Sequence, residues 1–205
     1  MNKIIKDTIT ITIITLISGI CLGLVYQITK DPIKASEKAT QQAAYEAVFT
    51  KADSFENYKE FDAKEAQKLL AKNDLKEDKI DSVVVAQDAA GEVLGYVVSV
   101  TSSAGYGGDI SFSVGIALDG TINGYKILAI SETAGLGMKA AEEKFKSQFD
   151  NVNTTEFSVT KSAAASDNEI EAISGATITS KAVTYGVNAA IVYFNSIVEG
   201  GSINE

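Results

Sequence analysis

The chain of 205 residues carries a net charge of −9, contains no His, Trp or Arg, and has a single Cys. Haem, iron–sulfur and zinc centres lack their usual ligands in such a composition, as do Ser-His and Cys-His nucleophilic pairs, so any redox chemistry falls to an organic cofactor. An acidic chain without Arg has no basic stripe to track phosphates, which argues against nucleic acid as a partner.

Thr8 to Thr29 is a run of 22 uncharged residues, mostly Ile, Leu, Val and Thr. As a helix it would be about 33 Å long, enough to cross the hydrocarbon core. Its Thr hydroxyls can bond back to helix carbonyls. No Ala-x-Ala site follows, so an anchor retained in the lipid bilayer is expected rather than a cleaved signal. Cys21 falls inside this run, and the rest of the chain has no thiol. Lys3 and Lys6 precede the run and Lys30, Lys34 and Lys38 follow it, so charge leaves its orientation open.

From Asp31 to about Thr50 the pattern is helical, with Pro32 where a first turn tolerates it. Ala39, Ala43, Ala44, Ala47 and Val48 form a narrow apolar face, and the segment reads as a stalk. Asp62 to Ala71 reads as a helix with Asp62 as N-cap and Glu65 at capping-box spacing. Strands are expected at Ile80 to Ala86 and Val93 to Thr101, around a turn containing Gly91. A second hairpin, Ile110 to Leu118 and Thr121 to Ile130, turns at Asp119-Gly120. A helix from Lys139 to Phe149 and a short strand at Phe157 to Thr160 follow. The last helix runs from Lys181 to Val198, with Val183, Val187, Ala190, Ile191 and Phe194 on one face. The expected fold is α+β: an N-terminal transmembrane helix, then a single domain with an antiparallel sheet and packed helices. The chain divides at this level into residues 1–30 (tail and anchor), 31–79 (helical stalk and start of the domain) and 80–205.

Three segments carry candidate chemistry. Ser174-Gly175-Ala176-Thr177-Ile178-Thr179-Ser180 sets two small residues between hydroxyls, just before a helix. Hydroxyls and free N–H groups at a helix N-terminus favour a phosphate, although the same tetrapeptide also serves as a plain helix cap. Glu132-Thr133-Ala134-Gly135-Leu136-Gly137 lies between a strand and a helix; it offers a hydroxyl at Thr133, an apolar face at Leu136 and close backbone approach at Gly135. Gly105-Tyr106-Gly107-Gly108-Asp109-Ile110 is Gly-rich but lacks the Lys and spacing of a P-loop. Gly107 and Gly108 either present amides to a ligand or make a wide turn, and Tyr106 suits a bound ligand or a partner protein equally.

In this order and spacing, and with Glu171-Ala172-Ile173 before the Ser-Gly-Ala-Thr run, the three segments resemble the FMN-binding domain family over roughly residues 80 to 198. Within that family the chain looks more like the G subunit of the Rnf electron-transport complex than the C subunit of the sodium-pumping quinone reductase. Two positions depart: Ala134 stands where the family usually has Pro, and Glu171 where it usually has Asp. The resemblance implies FMN held by a phosphoester to Thr177, with Ser174, Gly175, Ala176, Thr179, Lys181, Thr133, Gly135, Leu136, Gly107 and Gly108 as contacts. For Lys181 a solvent-facing role is the alternative. It also implies a flavin transferase for maturation, other membrane subunits as partners, and a domain on the extracytoplasmic side. The implied role is electron transfer between ferredoxin and NAD, coupled to movement of Na⁺ or H⁺, with no catalysis by this chain alone. A membrane-anchored extracytoplasmic binding or structural module without a redox role is the other reading.

Overall fold

The computed structural model describes residues 3–201. Two compact units divide between Thr40 and Gln41. The first lies within helix α1, Lys3–Val48, which is long and apolar enough to cross a membrane. Its Ile and Leu side chains from Ile4 to Ile28 are exposed, as a lipid-facing helix requires. Thr8, Thr12 and Thr29 donate to the carbonyls of Ile4, Thr8 and Val25, each at 2.9 Å, so their hydroxyls are satisfied within the helix. Pro32 lies inside α1 and not in a first turn, because the stalk helix continues that of the anchor. It removes one N–H from the ladder, and the turns on both sides hold the helix together.

The second unit is built on a six-stranded antiparallel sheet in the order β1-β2-β3-β4-β5-β6. Its strands are β1 Ser54–Asn57, β2 Asp78–Gln87, β3 Val93–Ser102, β4 Ile110–Ala117, β5 Thr121–Ile130 and β6 Val152–Asn153. The two expected hairpins form the centre. Strand alternation sends Val83, Val98, Val100, Phe112 and Val114 to one face, where they join the main core. Val84, Ala86 and Val97 point to the other face and pack with Tyr45, Val48 and Phe49. The buried stripe of the last turns of α1 is therefore Ala44, Tyr45 and Val48. Ala39, Ala43 and Ala47 of the expected face are exposed, and Ala44, Tyr45 and Val48 are the residues buried instead. Asn123 Nδ2 donates to the Val48 carbonyl at 3.1 Å and satisfies the end of that helix.

Helix α2, Ala63–Lys72, starts as expected at Asp62, whose carboxylate accepts from Lys64 and Glu65 N–H. The Glu65 carboxylate takes Lys68 Nζ at 2.7 Å and does not reach back to the cap. The expected helix from Lys139 to Phe149 is broken into a 3₁₀ turn at Gly137–Ala141, α3 at Glu143–Lys146 and a second 3₁₀ turn at Ser147–Phe149. Glu142 is extended between the first two, and the buried Tyr125 hydroxyl donates to the Ala140 carbonyl, which fixes the first turn to β5. A small parallel pair, β7 Ser158–Thr160 and β8 Glu169–Glu171, follows.

Helix α4, Thr177–Gly201, closes the main core. Ala182, Val183, Val187 and Ala190 have no exposure at all. The Asn188 amide accepts from Phe157 N–H at 2.8 Å and donates to its carbonyl at 2.9 Å, pinning the chain before β7 to α4. Asp78 is buried at the start of β2, opposite Ser102 of β3. Asp78 Oδ1 and Ser102 Oγ each lack a well-formed hydrogen bond. Burial pushes the Asp78 carboxyl up to about 6, only partly countered by the Ser102 hydroxyl.

Candidate functional site

The chain between β8 and α4 turns sharply. Gly175 takes φ +78, a left-handed conformation that glycine adopts without steric cost. Ala176 N–H bonds to the Ile173 carbonyl at 2.9 Å. Ser180, fully buried, reaches back: its hydroxyl accepts from Ile173 N–H at 2.9 Å and donates to the Ala176 carbonyl at 3.0 Å. This staple fixes the entry to α4 and leaves Thr177 as its first, half-buried residue. The first main-chain bond of the helix is Ser180 N–H to the Ala176 carbonyl. The N–H groups of Thr177, Ile178 and Thr179 are therefore the free donors of a helix start.

Two other loops arrive at the same place. The β5–Gly137 loop and the β3–β4 loop join Gly175 to Thr179 around a cleft of about 550 Å³. Its walls are Tyr106, Glu132, Thr133 and Leu136, facing Gly175, Ala176, Thr177, Ile178 and Thr179. Tyr106, Leu136 and Ile178 supply exposed apolar surface. Glu132 is only 9% exposed, and its Oε1 accepts Tyr106 N–H at 2.8 Å. Gly137 is pressed between Glu132 and Thr179: a Cβ there would lie 2.7 Å from both Glu132 Oε2 and Thr179 Oγ1.

Of the residues singled out from the sequence, Thr133, Leu136, Gly175, Ala176, Thr177 and Thr179 line this cleft. Thr179 does so while 1% exposed. Ser174 instead lines a neighbouring cleft of about 360 Å³ with Lys139, Phe145, Gln148 and Glu171. Gly135 has φ +74 with open space beside it. Gly107 packs on the loop from behind, where a Cβ would run into the Ser131 carbonyl. Gly107, Gly108 and the exposed Lys181 are not lining residues. Sequence reasoning missed Glu132 and Ile178 as wall residues. Glu132 opens its motif, but nothing in the sequence pairs it with Tyr106. A further cleft of about 420 Å³, between α2 and the end of α4 near Tyr58, Leu69 and Tyr193, holds no motif residue.

The donors and shape fit a phosphate-bearing planar group. Thr177 and the start of α4 are among the lining residues, and Tyr106, Leu136 and Ile178 are its large apolar members. The FMN-binding domain model matches residues 105–192, and the RnfG N-terminal region model matches residues 1–48. The G subunit of the Na⁺-translocating ferredoxin:NAD⁺ oxidoreductase complex of Acetobacterium woodii is 32% identical over 196 residues, covering 95% of this chain and 93% of that one. The G subunit of the proton-translocating ferredoxin:NAD⁺ oxidoreductase complex of Clostridium ljungdahlii is 31% identical over 199 residues, covering 97% and 96%. The G subunit of the ion-translocating oxidoreductase complex of Methanosarcina acetivorans is 28% identical over 198 residues, covering 95% and 96%. The crystal structure of NqrC from Shewanella oneidensis superposes with a TM-score of 0.48 at 20% identity, covering 58% of this chain and 61% of that one.

A long apolar N-terminal helix followed by an FMN-binding domain defines the class of protein. Within it, the chain belongs to the RnfG family, the G subunits of ion-translocating oxidoreductase complexes.

Proposed function

We propose that the chain is the electron-carrying flavin subunit of an Rnf-type ferredoxin–NAD oxidoreductase complex that translocates ions, with FMN joined by a phosphoester to Thr177. The observation that carries this reading is the meeting of three loops, distant in sequence, around the first residue of α4. Bound FMN would supply the capacity to accept and release electrons. Thr177 offers the hydroxyl for attachment, and the N–H groups of Thr177, Ile178 and Thr179 face the phosphate end. Leu136 and Ile178 keep water from the apolar part of the cleft, and Thr133 offers a hydroxyl to its edge. Lys181, exposed one turn along α4, is at hand for the phosphate charge. The chain has no His to serve as a base for Thr177, and the resemblance to the FMN-binding family implies a separate flavin transferase that moves FMN from FAD to the hydroxyl and releases AMP. The electron partners are other membrane subunits of the complex. The α1 anchor holds the protein in the membrane, with the domain on the extracytoplasmic side. Every proposed flavin contact falls within residues 80–205.

Mass spectrometry of the protein from its native membrane tests the assignment. The expected intact mass exceeds that of the chain by one FMN less one water, the excess maps to the peptide containing Thr177, and Thr177→Ala lacks it. The same excess on Ser174 or Thr179, or an unmodified and colourless protein, overturns it.

A further inference from the structure

We propose that Glu132 is a positioning residue of the flavin site, acting by holding Tyr106 in place over the cleft; this rests on the flavin reading above. Glu132 sits where the three loops touch. Its Oε1 takes the Tyr106 N–H at 2.8 Å, a charge-assisted bond across 26 residues of sequence. Its Oε2 and the Thr179 hydroxyl close on the same point beside Gly137. Gly105 is drawn in as well, since a Cβ there would stand 3.1 Å from Glu132 Oε1. A carboxylate that is nearly buried is costly unless its oxygens are used, and here one is used by the loop that carries Tyr106.

The Tyr106 side chain is 73% exposed, so little else restrains it. Neither ring contact nor side-chain hydrogen bond fixes its ring among the described residues. The main-chain bond to Glu132 therefore sets where the Tyr106 backbone, and with it the attachment point of the ring, stands in the wall it shares with Leu136. Glu132 forms no bond with the cofactor in this arrangement; it shapes the wall that the flavin ring meets.

The test compares Glu132→Gln with Glu132→Met in the full-length protein. Both remove the charge and keep the length, but only Gln retains an oxygen to accept the Tyr106 N–H. Amide hydrogen exchange is first read in a Thr177→Ala background, free of covalent flavin. Exchange at Tyr106 is expected to rise by about tenfold in the Met variant and to stay near wild type in the Gln variant. Flavinylated protein, with FMN on Thr177 verified by mass, is then titrated for its midpoint potential. The Met and Gln variants are expected to differ from each other, and that difference is expected to vanish once Tyr106→Ala is added to both. Equal exchange at Tyr106 in the two variants, or equal potentials, overturns the proposal. If Glu132→Met does not fold, Glu132→Ala takes its place. An unprotected Tyr106 amide in the wild-type protein overturns the proposal without any variant. Absence of FMN on Thr177 in the wild type sinks the flavin reading instead, and leaves the exchange result to decide the hydrogen bond alone.

Discussion

Leu136 and Gly175 meet across the mouth of the cleft: a Cβ on Gly175 would stand 3.1 Å from Leu136 Cδ2. Gly175 also holds φ +78, so any side chain there is strained as well as crowded. Gly175→Ala is expected to cost about 1 kcal/mol, roughly 2–4 °C in Tm. It should also narrow the approach to Thr177 and lower the fraction of protein carrying covalent FMN. Thermal melts and intact mass on the same sample check both effects. Full occupancy with an unchanged melt would show that the turn tolerates a side chain.

Leu136→Asp tests whether the Glu132–Gly137 loop touches the flavin ring. The side chain is 41% exposed at the cleft wall, so the substitution should leave folding and attachment intact. A carboxylate beside the ring opposes the arrival of electrons, so the midpoint potential should fall and turnover of the assembled complex should slow. Redox titration of fully flavinylated wild type and variant decides it. An identical midpoint removes this loop from the flavin contacts.

Asp78 gives the domain a pH dependence unrelated to the cleft. Its carboxyl is raised to about 6 from 3.8, so the folded state binds the proton more tightly than the unfolded state. Stability from this group is full below the unfolded value and is lost as pH rises from about 4 to about 6. The loss approaches roughly 3 kcal/mol as an upper bound. Asp78→Asn cannot ionise, and its amide can donate to the Ser102 hydroxyl. The variant should therefore melt higher than wild type at pH 8, with the gain shrinking towards pH 4. Urea unfolding at both pH values measures it, and a gain independent of pH refutes the linkage.

The side of the membrane that carries the domain is open to direct test. With the cell wall removed, protease added outside is expected to cut the domain while a cytosolic control survives. Protection of the domain until lysis would reverse the orientation.

Much of this architecture was legible in the sequence. The anchor, the α2 cap at Asp62 and the two central hairpins follow from local rules of hydrophobic length, capping and turn chemistry. Strands β1, β6 and β8 escaped notice because they are short and lie where a central strand or β7 supplies the pairing pattern. The helix expected over Lys139 to Phe149 failed for a tertiary reason, since the Tyr125 hydroxyl holds Ala140 in a tight turn that local propensity does not encode. At the candidate site, the motifs pick out Thr177, Thr133 and Leu136, which line the cleft. Their meeting in one cleft, and the bond from Tyr106 to Glu132, depend on contacts between segments far apart in the chain. The same holds for Ser174, which sits beside its motif partners in sequence but opens onto the neighbouring cleft.

The buried face of α4 has a mechanical consequence for anything tethered at Thr177. Ala182 and Val183, little more than one turn further on, are sealed inside the domain. Shifting the helix that carries Thr177 as a body thus requires opening the core. The side chains of Tyr106 and Leu136 are by contrast exposed. A cofactor moored at Thr177, as proposed, would therefore have a fixed pivot, while the exposed side chains of Tyr106 and Leu136 at its free end could change rotamer without disturbing the mooring.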